Sequence, residues 1–148
     1  MRREPLKDIG ILLLLLYPAA ADLKKREFYF LPVLAGAAVL FLAFWKISGR
    51  TPEAAALLTG TLPGAAMFLL RLFSKKGIGS GDVLVLFLLG FLAGFEKTFI
   101  TMFCAFLLTA GAGCILLLLH KAGRRTQLPF IPFLLAAFLI VSILERQV

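Results

Sequence analysis

The chain has 148 residues, 61% of them hydrophobic and 16% charged, with a formal net charge of +8 and a mean hydropathy of +0.98. That balance excludes a water-soluble globule with a polar surface and defines an integral membrane protein. It also argues against a nucleic-acid partner, because the bases stand at the ends of apolar runs and are not gathered into one patch with interleaved aromatics.

Six apolar stretches follow one another along the chain: Ile9 to Ala21, Phe28 to Trp45, Ala54 to Phe73, Val83 to Phe95, Phe99 to Leu119 and Leu128 to Leu144. Each is bounded by charges, Gly or Pro. Open strands would leave backbone groups unsatisfied in lipid, and these Leu- and Phe-rich runs lack the alternation of a transmembrane barrel, so the spans are helical. The expected fold is an all-α integral membrane protein, one bundle of six transmembrane helices in a single domain over residues 1–148. The first stretch also has a second reading. Arg2, Arg3 and Lys7 before Ile11 to Leu16, with Ala19-Ala20-Ala21 after them, mimic a secretory signal, whose removal would separate this helix from the rest.

The bases set a topology. Lys24, Lys25, Arg26, Arg71, Lys75, Lys76, Lys121, Arg124 and Arg125 follow the odd-numbered spans, against Arg2, Arg3, Lys7, Lys46, Arg50, Lys97 and Arg146 on the other side. Nine to seven places the odd loops in the cytosol and both termini outside. Lys24, Lys25 and Arg26 then anchor their loop at anionic lipid headgroups. Glu4, Asp8, Glu53, Glu96 and Glu145 fall on the outer side, and Asp22, Glu27 and Asp82 on the cytosolic one. The first and fourth stretches hold about 13 apolar residues, roughly 20 Å of helix against about 30 Å of hydrocarbon, so Asp22 and Asp82 are drawn slightly below the cytosolic surface. Ionisable groups at such a depth point to function. Two carboxyls at one depth on one face fit acid–base chemistry on a peptide bond. A capping role for Asp82 at the start of its helix is the structural alternative.

Cys104 and Cys114 lie ten residues apart in one apolar stretch, about 15 Å along a helix, too far for a disulfide and without partners for a metal site. Gly60 with Gly64, and Gly90 with Gly94, have the spacing of close helix contacts.

Three segments carry a resemblance to a known family. Gly77-Ile78-Gly79-Ser80-Gly81-Asp82-Val83, followed by Leu89-Gly90-Phe91-Leu92-Ala93-Gly94, resembles the GxGD segment and trailing LGxxLG of type IV prepilin peptidases, which are intramembrane aspartyl proteases. Asp22-Leu23-Lys24-Lys25-Arg26 is similar to that family's first aspartate with its basic followers, and Leu128-Pro129-Phe130-Ile131-Pro132-Phe133-Leu134 to the segment opening its last helix. Order and spacing together cover nearly the whole chain. Phe28-Tyr29-Phe30 replaces the family's Ile-Pro-Asn, and Leu84 a frequent Lys, two departures that bear on substrate positioning. The zinc-binding insertion of longer members is missing.

The resemblance implies an aspartic endopeptidase of a prokaryotic plasma membrane, with its active site facing the cytosol. Its implied substrates are prepilins or pseudopilins with a short basic leader ahead of an apolar helix, in type IV pilus assembly or protein secretion. The implied catalytic residues are Asp22 and Asp82, with one water between them and no metal or other cofactor. Gly77, Gly79 and Gly81 are expected to let the loop bend and a substrate strand approach Asp82. The alternative from another class is a small ion-coupled transporter or a silent membrane scaffold, in which the same two acids bind a proton or cation.

Overall fold

The computed structural model of the chain describes residues 4–25, 30–48, 53–74, 79–119 and 128–147. Among these residues seven helices follow in order: α1 Glu4–Lys25, α2 Phe30–Ser48, α3 Ala54–Gly60, α4 Leu62–Phe73, α5 Ser80–Ala93, α6 Phe95–Leu118 and α7 Phe130–Gln147. No strand occurs among the described residues.

Two interruptions have local causes. Pro63 sits in the first turn of α4 and has no N–H to give to the preceding turn. The rod therefore steps at Thr61, whose N–H bonds the Leu58 carbonyl three residues back at 3.2 Å. The α5–α6 junction turns at Gly94 with φ 89°, a conformation that a side chain disfavours. Gly94 also takes part in the expected close contact, since its Cα would lie 3.6 Å from a Cβ at Gly60, and it makes the turn as well.

Six separate spans are expected, whereas among the described residues three helices are long and apolar enough to cross a membrane: Phe30–Ile47, Ala54–Phe73 and Phe95–Leu118. α5 and the apolar part of α7 are shorter helices. α1 runs for 22 residues, longer than its apolar stretch, because its helix continues through Lys7 and Asp8 at one end and Asp22 and Lys24 at the other. Those charges remove it from the set of long apolar spans.

The core is built from α1, α5 and α7, where Ile11, Leu15, Leu86, Leu89, Leu134 and Phe138 are buried. α7 packs chiefly on α6 and α1, and α5 on α4, α6 and α3. Ile11, Leu15 and Ala19 make α1 part of this core. Around it the polarity of a soluble protein is reversed. Leu31, Phe73 and Leu118 are about four-fifths exposed, as suits side chains that face hydrocarbon.

The glycines govern the closest approach. A Cβ at Gly90 would run into the Gly60 carbonyl oxygen, and one at Gly60 into that of Gly90. Gly64 lies close on the backbone of Phe87, its added Cβ falling 2.8 Å from the Phe87 Cα. The absence of side chains at these positions lets α3 and α4 lie against α5.

Candidate active site

Asp22 stands in the last turn of α1 and Asp82 in the first turn of α5. The fold brings both to the same end of the bundle, close enough for the charge of Asp22 to act on Asp82. Both are half-buried. Asp22 Oδ2 accepts a hydrogen bond of 3.3 Å from the backbone N–H of Ile131, in the first turn of α7. Three helices thus meet at this pair of acids.

Local sequence explains the placement of Asp82. Gly79 holds the N-cap position in an extended conformation, φ −67° and ψ 144°, and contributes no side-chain cap. Asp82, three residues on, turns its carboxyl back so that the Gly79 N–H donates to it. This is the N3 half of a capping box, so the capping role weighed for Asp82 exists, though from N3 and not from the N-cap itself. A Cβ at Gly79 would lie 3.1 Å from Asp82 Oδ2. Gly81 is in the helix beside it, and Gly77, the third glycine of the expected loop, lies outside the described residues.

Asp82 precedes Val83 and lies outside the three long apolar spans. Burial, then the facing charge of Asp22, push its carboxyl up from 3.8 to about 6, against the Gly79 hydrogen bond and the Arg71 guanidinium, which pull it down. Such a group can hold a proton near neutrality and also release it. Arg71, in the last turn of α4, belongs to this neighbourhood. Sequence reasoning counted it only as a topological charge, and nothing in its spacing from Asp82 marks it otherwise. The Ile131 N–H was equally invisible, since a backbone donor leaves no trace in residue type; the only signal was the Pro-Phe segment opening that helix.

Of the other groups singled out, Cys104 and Cys114 are both free and both on α6. Lys24 is exposed at the end of α1, while Arg26, Glu27, Phe28 and Tyr29 lie outside the described residues.

Two carboxyls delivered by separate helices to one end of an apolar bundle, one of them raised to about 6, are groups able to do acid–base chemistry. The sequence profile of the type IV leader peptidase family matches residues 9–144, nearly the whole chain. The chain therefore belongs to the type IV leader peptidase family and is an aspartic-type prepilin peptidase. No curated protein and no solved structure matches it.

Proposed function

We propose that the protein removes the N-terminal leader of prepilin-like proteins (type IV pilins, pseudopilins, tight-adherence pilins or preflagellins) at the cytosolic face of a prokaryotic plasma membrane, with Asp22 and Asp82 as its catalytic pair. The observation that carries this reading is the meeting of two acids 60 positions apart in the sequence, with burial and then the charge of Asp22 raising the proton affinity of Asp82.

Asp82 is then the protonated partner and Asp22 the base. A water between them loses a proton to Asp22 and its oxygen adds to the scissile carbonyl carbon, while Asp82 gives its proton to the carbonyl oxygen. When the C–N bond breaks, Asp22 returns its proton to the leaving amine. Asp82 recovers one from a hydroxyl of the tetrahedral intermediate, which restores the starting state. The bare backbone at Gly79 and Gly81 leaves space for an extended substrate strand beside Asp82, and the Ile131 N–H holds Asp22 in place.

The test is to incubate the purified, reconstituted protein with a prepilin-like substrate that has a basic leader before an apolar helix, and to sequence the new N-terminus. One cut between the basic leader and the apolar stretch is expected. Intact substrate beside a folded peptidase, or cleavage inside the mature part, would overturn the assignment.

A further inference from the structure

The end of the bundle opposite Asp22 and Asp82 holds a second cluster of charges. Lys97 Nζ lies 2.7 Å from Asp8 Oδ1 and 2.7 Å from Glu145 Oε2, and 5.1 Å from the centroid of the Phe138 ring. The Asp8 side chain is 6% exposed and that of Lys97 11%. These residues belong to α1, α6 and α7, so one lysine ties three helices together.

The numbering of the contacts is informative. Asp8 and Asp22 are 14 positions apart on α1, and Ile131 and Glu145 are 14 positions apart on α7. Asp22 meets Ile131 directly, while Asp8 meets Glu145 through Lys97. Both pairs therefore fit one antiparallel register, in which the two residue numbers sum to 153. That register sets Leu15 against Phe138 and Ala19 against Leu134, and all four are buried. A spacing of 14 is two heptads, so both tethers fall on the same seam between the two helices.

We infer that Lys97 is a positioning residue for the peptidase reaction. By bridging Asp8 to Glu145 it fixes the axial register of α1 on α7, and so the place of Asp22 at the far end, about 21 Å away along α1. This rests on the reading of Asp22 as a catalytic acid. Apolar side chains alone specify the register weakly, because Leu, Ile and Ala tolerate a shift along a helix pair in lipid. A buried ion pair does not, since a slip leaves a charge without its partner. A slip of one residue would move Asp22 by about 1.5 Å and turn it by about 100°, and a misplacement of about 1 Å can cost a factor of about 100 in rate.

The experiment compares Lys97→Met, Lys97→Arg and Glu145→Gln with wild type, each in folded, reconstituted form. Glu145→Gln keeps the buried Asp8–Lys97 pair and so remains available if Lys97→Met does not fold. One readout is kcat and KM measured separately on a leader-bearing substrate. The other is cross-linking of Ala19→Cys with Leu134→Cys, in a Cys104→Ser, Cys114→Ser background, which reports the register without reference to activity. Lys97→Met is expected to lower kcat about 100-fold with KM unchanged and to reduce the cross-link severalfold. Glu145→Gln moves both in the same direction by less, and Lys97→Arg restores both. A wild-type kcat, or an undiminished cross-link, in folded Lys97→Met or, failing that variant, in Glu145→Gln overturns the inference. Wild-type protein that cleaves no leader instead overturns the peptidase reading, while the cross-link still decides the register.

Discussion

Replacing Asp82 by Asn removes a proton-binding group and keeps its shape, so the effect on stability follows from where the carboxyl titrates. In the fold it is raised from 3.8 to about 6. The folded protein therefore holds this proton more tightly than the unfolded chain, and stability from this group is complete below about pH 4 and lost as pH rises through about 6. At about 1.36 kcal/mol per pH unit, the full difference is about 3 kcal/mol, an upper figure for a half-buried group. Asp82→Asn is thus expected to be about 1 to 3 kcal/mol more stable than wild type at pH 7.5, with the gain fading below pH 4. Unfolding free energies measured across that range in micelles, with both proteins in the same detergent, read this directly. The Asp22→Asn background adds a second arm. It removes the facing charge, so the gain from Asp82→Asn at pH 7.5 shrinks there, and the difference between the two gains is the coupling of the two acids. A gain that does not depend on pH, or one of the same size with and without Asp22, would refute the claim that the two carboxyls act on each other.

Other substitutions probe the parts that hold the site. Gly79→Ala sets a methyl 3.1 Å from Asp82 Oδ2 and is expected to lower kcat about tenfold or more with the fold retained, read by leader cleavage and thermal unfolding side by side. Gly90→Ala drives a methyl into the Gly60 carbonyl and should cost about 1–3 kcal/mol or prevent folding. Gly111→Ala, which meets nothing within 4 Å, stays within about 0.5 kcal/mol in the same unfolding assay. Lys97→Met strands Asp8 in the interior, an expected loss of about 3–5 kcal/mol. Glu145→Gln costs less than about 1 kcal/mol because that side chain is 48% exposed.

Composition and apolar runs revealed the helical membrane class, and the placement of acids at the ends of two runs drew attention to Asp22 and Asp82. What could not be read has particular causes. The apolar stretch opens only at Ile9, after Lys7 and Asp8, yet the helix begins at Glu4 and Asp8 is buried against Lys97. Its partner lies 89 residues away, and no local pattern links the two. The run from Ala54 to Phe73 hides a step at Thr61, which depends on one missing N–H at Pro63. Gly90 and Gly94 share a motif and both lie against Gly60, but Gly94 also takes a positive φ and ends α5, a turn that the spacing alone does not reveal. The site's neighbours Arg71 and the Ile131 N–H come from α4 and α7, and only the folded arrangement of those helices brings them to the acids.

The most direct test of the central claim is leader cleavage by Asp22→Asn and Asp82→Asn, each reconstituted at equal amounts of folded protein beside wild type. If the two carboxyls share the work on one peptide bond, each variant loses at least about a thousandfold in kcat and the double variant loses little more. A folded single variant that keeps a tenth or more of wild-type cleavage would contradict it.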